Sequence, residues 1–165
     1  MGDQNIKTAY LGIGSNLGDR AGNLRHAVNM IREVTGTSVT ESSVFETEPW
    51  GFSADTRFLN MVVGMDTSLE PKALLSAILE IEISMGRIRN KSRYSSRIID
   101  IDILLFGDLV LYEKQLQIPH PHLHERRFVL VPLAELAPDF IHPLFKQSVH
   151  SLLESCPDQS SVLKL

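Results

Sequence analysis

The 165-residue chain has one cysteine, Cys156, and one tryptophan, Trp50. A lone thiol excludes an internal disulfide framework or a thiolate zinc cluster and points to a reducing, cytoplasmic setting. No apolar run approaches the ~18 residues that a membrane span needs. The polar start, Met-Gly-Asp-Gln-Asn-Ile-Lys, holds no signal-peptide core. Positive charge is scarce. Sixteen Lys and Arg stand against 20 Asp and Glu, for a net charge of −4, which argues against a general nucleic-acid or anionic-membrane binder. Internal repeats and low-complexity tracts are absent. Gly12, Gly14 and Gly18 have G-x-G-x-x-x-G spacing and no Gly-Lys-Ser/Thr follows. That is neither a dinucleotide fingerprint nor a Walker loop, and the glycines read first as a tight strand-to-helix turn.

What is present is 43% hydrophobic residues, enough for one domain over residues 1–165. The ends, 1–6 and 158–165, are expected to fray. The most informative stretch is Arg97-Ile-Ile-Asp-Ile-Asp-Ile-Leu-Leu-Phe106. Its β-branched and aromatic residues predict a buried strand. Side chains at i and i+2 of a strand share a face, roughly 6.5–7 Å apart along the backbone. Asp100 and Asp102 therefore face one way, and Ile99, Ile101 and Ile103 the other. Two like charges on a half-buried strand repel and lose hydration. Two readings answer that cost. The pair holds Mg²⁺ together with substrate phosphates, as one ion or as a pair, or each aspartate pairs with an arginine at the strand end.

Five of the sixteen Lys and Arg lie between residues 87 and 97, with no acid among them. Alone, such a run is a solvated surface. Here it leads straight into Asp100 and Asp102, and cations beside carboxylates are the grouping that phosphoryl transfer requires. Elsewhere the signals are structural. Thr8–Ile13 reads as a strand. Leu24, Ala27, Val28, Ile31 and Val34 share a helix face, and Gly36 stops that helix. Residues 38–46 read as a second strand and 58–66 as a third, with Asn60 a polar intruder. Thr67 or Ser68 caps a helix with Pro71 in its first turn, and Glu82 near its end is unfavourable to the dipole. A hairpin excursion over 109–118 follows, then a helical Phe128–Leu136 and a short helix over 149–153. Trp50, on a Pro- and Gly-punctuated loop, either stacks on a flat heterocycle or plugs the core edge. His120, His122 and His124 straddle Pro121 without zinc-like spacing, and read better as surface or phosphate-contacting groups. The order β-α-β-β-α-β predicts an α+β, ferredoxin-like split βαβ fold. It has an antiparallel sheet, helices on one face, a hairpin excursion and C-terminal helices. The opposite sheet face is expected to stay free for ligands.

Six motifs, in order, carry a resemblance: Ile13-Gly-Ser-Asn-Leu-Gly18; Glu46-Thr-Glu-Pro-Trp-Gly51; Phe58-Leu-Asn60; Glu82 through Arg87; Arg97–Ile103; and Ile118-Pro-His-Pro121 with Arg126 and Phe128. With them the chain resembles the 6-hydroxymethyl-7,8-dihydropterin pyrophosphokinases of folate biosynthesis. The resemblance implies transfer of the β,γ-pyrophosphoryl group of ATP to the pterin hydroxymethyl oxygen. It implies two Mg²⁺ ions on Asp100 and Asp102, which with Arg87 and Arg97 would be catalytic. Glu82, Arg87, Arg89, Arg97, Ile103, His120 and Arg126 would bind ATP. Asn16, Thr47, Pro49, Trp50, Phe58, Asn60 and Phe128 would bind the pterin, with Asn60 reading the ring edge and Phe58 and Phe128 sandwiching it. The expected partners are the two substrates alone, with no nucleic acid and no membrane, for a cytoplasmic monomer. The family commonly has Trp-Gly-Pro-Arg before the metal strand. Here the segment is Tyr94-Ser95-Ser96-Arg97.

Overall fold

The computed structural model describes residues 5–87 and 96–165. The expectation about Tyr94 and Ser95 falls outside them. In chain order the elements are β1 (Lys7–Ser15), α1 (Arg20–Thr35), β2 (Val39–Glu41), β3 (Phe45–Thr47), β4 (Phe58–Thr67), α2 (Pro71–Ser84), β5 (Asp100–Phe106), β6 (Leu111–Tyr112), β7 (Gln117–Ile118), α3 (Arg127–Leu136), α4 (Val149–Glu154) and β8 (Val162–Lys164). The main sheet is antiparallel in the order β5-β1-β4-β3-β8, with β2 also on β4. β6 and β7 form the separate hairpin.

Alternation divides the sheet into two faces. Ala9, Leu11 and Ile13 of β1, the odd-numbered Leu59 to Met65 of β4, and Ile101 and Ile103 of β5 pack against α1 and α2. From α1 come Leu24, Ala27, Val28 and Ile31; from α2, Leu74, Ile78 and Ile81. Burying each large side chain contributes ~1.5–3 kcal/mol, so this core dominates stability. The second face carries Val62, Leu104 and Leu105 against α3 and α4. Tyr10 pairs with Leu105 but Leu11 with Ile103, which leaves Leu104 as an extra residue. That bulge lets Leu104 and Leu105 both serve the second face before Phe106 returns to the first.

The α+β antiparallel plan with α1 and α2 on one face is the expected one. The opposite face is not left free. α3 and α4 cover part of it, because the apolar side chains Val129, Leu130, Leu133, Val149 and Leu152 need their own core. The end near Gly12, Gly14, Asn60, Asp100 and Asp102 lines a cavity.

Local departures have local causes. The expected single strand over 38–46 is two strands broken at Ser42, whose backbone N donates to Val62 O and whose Oγ accepts from Val62 N. Glu70, not Thr67 or Ser68, holds the cap position of α2 and makes no side-chain cap bond; Thr67 Oγ1 instead accepts from Leu69 N at 3.1 Å. Val34, in the last turn of α1, is exposed rather than buried. Gly36 follows it at φ 64°, its N–H donating to Arg32 O. The tail is not frayed over 158–165. Asp158 accepts from Arg127 N at 3.0 Å, and β8 pairs with β3, Lys164 opposite Phe45 and Val162 opposite Thr47. Backbone pairing at a sheet edge needs no apolar run of its own, which is why the pattern missed it.

Candidate active site

The open end of the second face holds a cavity of about 250 Å³. Its floor is set by three strands. Asp100 of β5 lies opposite Gly14 of β1, and Asp102 opposite Gly12. Both aspartates line the cavity, while Ile101 and Ile103 turn to the helices. The glycines keep the floor low. A Cβ on Gly14 would sit 2.7 Å from Asn60 Oδ1 and 3.6 Å from the Phe58 ring. So Gly12 and Gly14 are strand residues that make room, and only Gly18, at φ 68°, serves the turn.

One wall is polar and aromatic. Asn60 is nearly buried, and its Nδ2 donates to Thr47 Oγ1 at 2.6 Å. Phe58 beside it meets Phe52 edge-on at 6.0 Å. Across the cavity, the Arg126 guanidinium lies 4.5 Å from the Trp50 ring centre and 5.7 Å from that of Phe128. Arg126 Nε is buried without a hydrogen-bond partner, a donor that an anionic or carbonyl-bearing ligand would satisfy.

The other wall is charged. Arg87 bridges Glu82 and Asp100, with its Nη1 2.9 Å from Asp100 Oδ1, and Arg97 Nη1 lies 3.2 Å from Asp100 Oδ2. Asp100 is thus neutralised by two guanidiniums. Among the described residues, the charged group that comes within 4 Å of Asp102 is His120, its Nε2 at 3.9 Å. Burial first, and the Asp100 charge second, push its carboxyl up to about 7, although Arg126, Arg87 and Arg97 pull the other way. Its side chain keeps 41% of its surface open to the cavity, so the group sits at a wet floor rather than in a sealed core. This floor carries an under-compensated carboxylate next to a compensated one. A divalent cation with oxygen donors from a substrate would complete it. The donor set is hard oxygen only, and among the described residues no third His, Cys, Asp or Glu makes a metal cage. Two carboxylates completed by phosphates and water suit Mg²⁺ rather than zinc.

Comparisons with known proteins identify the family. Residues 10–138 match the family model described as 7,8-dihydro-6-hydroxymethylpterin-pyrophosphokinase. A Methylorubrum extorquens protein named 2-amino-4-hydroxy-6-hydroxymethyldihydropteridine pyrophosphokinase is 44% identical over 134 residues, 81% of this chain and 84% of that protein. A protein of the same name from Aquifex aeolicus is 41% identical over 142 residues, 86% and 88% of the two chains. The chain belongs to this pyrophosphokinase family. The Plasmodium falciparum HPPK-DHPS wild type, solved with pteroate, shares the fold with a TM-score of 0.72 at 17% identity; the match covers 92% of this chain and 42% of that one.

The cavity brings together most of the residues that the sequence nominated. Thr47, Trp50, Phe58, Asn60, Arg87, Arg97, Asp100, Asp102, His120, Arg126 and Phe128 all line the cavity. Others do not. Asn16 is fully buried, and its amide is used on Arg97 N and Ser96 Oγ, so it does not reach a ligand with both amide ends. Ile103 packs in the opposite core, and Leu104 takes its place in the lining. Glu82, 3% exposed, grips Arg87 and the Ile101 N–H instead of facing the cavity. Pro49 lies outside the lining and its neighbour Glu48 lies in it. Arg89 lies outside the described residues. Phe52 and Leu104 also line the cavity, although no site role was assigned to them from sequence, and so does His122, which read as a surface or phosphate-contacting group. For Phe52 the signal was there, an aromatic two residues from Trp50. For Leu104 it was the alternation that this residue shares with Asp100 and Asp102.

Proposed function

We propose that the chain transfers the β,γ-pyrophosphoryl group of ATP to the hydroxymethyl oxygen of 6-hydroxymethyl-7,8-dihydropterin and releases AMP. The observation that carries this is the placement of Asp100 and Asp102 on one cavity floor with Asn60, Phe58 and Phe128. A triphosphate site and a flat-heterocycle site share one space. The whole reaction runs in one domain over residues 1–165, working as a cytoplasmic monomer.

Asn60 and Thr47 offer the donor and acceptor that a pterin amide edge pairs with. Phe58 and Phe128 supply apolar faces for its ring. Arg87, Arg97, His120 and Arg126 take the phosphate oxygens. Asp100 and Asp102 would hold Mg²⁺, two ions in this proposal, which would supply positive charge to offset the triphosphate. The pterin hydroxyl oxygen bonds to the β-phosphorus in line and gives up its proton to water, the bond from that phosphorus to the α–β bridging oxygen breaks, and AMP departs with the electron pair. Positioning and fixed charge supply most of the rate. The arginines on Asp100 are available for phosphates once a cation takes over its charge.

The test is direct. The protein is mixed with ATP, Mg²⁺ and the pterin alcohol, and AMP is followed. AMP that forms only with the pterin supports the reading; pterin-independent ATP hydrolysis, or no turnover, overturns it.

A further inference from the structure

The turn between β1 and α1 grips both segments that wall the cavity. Asn16 is its centre and has no exposed surface. Its Oδ1 accepts from Arg97 N at 2.7 Å, its backbone N donates to Arg97 O at 3.1 Å, and its Nδ2 donates to Ser96 Oγ at 2.9 Å. Its carbonyl accepts from Thr56 Oγ1 at 2.5 Å. Arg97 leads into β5 and contacts Asp100. Thr56 belongs to the connection between β3 and β4 that carries Trp50 and Phe52 and ends at Phe58. The neighbours reinforce the junction. Arg20 Nη1 binds Glu46 Oε2 at 3.0 Å and Arg57 O at 2.9 Å, one at each end of that connection. Asn23 Nδ2 reaches Leu17 O at 2.9 Å and Ile98 O at 3.3 Å.

We infer that Asn16 is a positioning residue that couples the two halves of the site. The inference rests on the pyrophosphoryl-transfer reading, which places nucleotide phosphates on the Arg97 side and the heterocycle on the Phe58 side. Asn16 holds the Arg97 peptide from both ends, N–H and C=O, so the Arg97 backbone cannot shift without moving Asn16. Its other oxygen is the anchor of Thr56. A ligand that fixes Arg97 therefore also fixes the wall that meets the heterocycle, and thermodynamic linkage makes the effect mutual. The chain of contacts is Arg97 and Ser96 to Asn16 to Thr56, with no cavity-lining side chain except that of Arg97.

Because Asn16 is buried, its own replacement also lowers stability. The test therefore uses Thr56→Val, which removes the hydroxyl that ties the β3–β4 connection to Asn16, and Ser96→Ala, which removes one bond on the other side and leaves both Arg97 backbone bonds; both positions lie outside the cavity lining. Calorimetry measures pterin affinity with and without a non-hydrolysable ATP analogue and Mg²⁺, after circular dichroism confirms that each variant is folded. The intact chain binds pterin at least about fivefold more tightly when the analogue is present, the lower end of ordinary coupling. In Thr56→Val that ratio falls toward one while affinity for either ligand alone stays within about twofold; in Ser96→Ala it falls less, and the double variant loses no more than Thr56→Val alone. A ratio of one in the intact chain, or an unchanged ratio in Thr56→Val, overturns the inference. If the intact chain turns over with pterin while the ratios are unchanged, only the coupling fails. If it neither binds pterin nor forms AMP, the functional reading itself fails.

Discussion

Strand β5 presents two chemistries from alternate residues. Toward α1 and α2 it offers the side chains of Ile101 and Ile103, closed in an apolar core. Toward the cavity it offers Asp100 and Asp102, opposite two glycines and short of counter-charge on the second aspartate. The first face gains stability from burial. The second gives some up, since two carboxylates are held side by side with only arginines and a distant histidine for company. Folding and chemistry are thus separated by a single residue along the chain, and substitutions on the two faces should fail in different ways.

The largest effect should come from the cavity face. Asp100→Ala removes the carboxylate that organises Arg87 and Arg97, and turnover should fall by about 10²–10³-fold, the scale for losing one group that manages transition-state charge. AMP release in steady state measures it; near-normal turnover would erase the distinction between the faces. On the other face, Ile101→Ala should cost ~2–5 kcal/mol of stability, as large-to-small changes in a packed core do. Denaturant unfolding gives that figure, and kcat per folded molecule should stay close to that of the intact chain. Asn60→Ala tests the aromatic wall. Losing its contact with Thr47 and its edge toward the ring should raise the pterin KM about tenfold or more, from ~1–3 kcal/mol for a buried polar group left without its partner. KM for ATP should barely move.

The smallest effect lies away from both faces, in the segment between α3 and α4. His142 is 2% exposed, and its Nδ1 accepts from the backbone N–H groups of Leu144 and Phe145. Burial first, and the His124 charge second, lower its pKa from 6.5 to about 4. The unfolded chain therefore binds this proton more readily than the folded one between those values. Its contribution to stability is complete above about pH 6.5 and is lost as the pH falls toward 4. Urea midpoints across that range should decline for the intact chain and decline less for His142→Gln. Equal slopes would show that His142 does not titrate in this way.

The sequence carried the first face almost completely. Period-two alternation in β1, β4 and β5 and period-3.6 spacing in α1 and α2 are direct consequences of which side is buried. The aspartate pair was legible for the same reason, since charge inside an apolar strand demands an explanation. What escaped has a common cause, which is that pairing across the chain is not written locally. The β8 edge exists because β3 offers it a backbone partner. The bulge at Leu104 exists because β1 and β5 slip by one residue, and that slip turns Leu105 to the second face and Phe106 to the first. Asn16 illustrates the limit best. A turn asparagine looks like a ligand-binding amide in sequence, but its partners, Ser96 and Arg97, lie some eighty residues away.

The separation of the two faces can be tested at one atom pair. Asp102→Asn keeps the shape of the side chain and removes the charge that burial and Asp100 both oppose. Turnover with ATP, Mg²⁺ and pterin should fall about 10²–10³-fold, while the metal-free variant melts at or above the temperature of the intact chain. Turnover close to that of the intact chain, or a lowered melting temperature in the absence of Mg²⁺, would contradict the account.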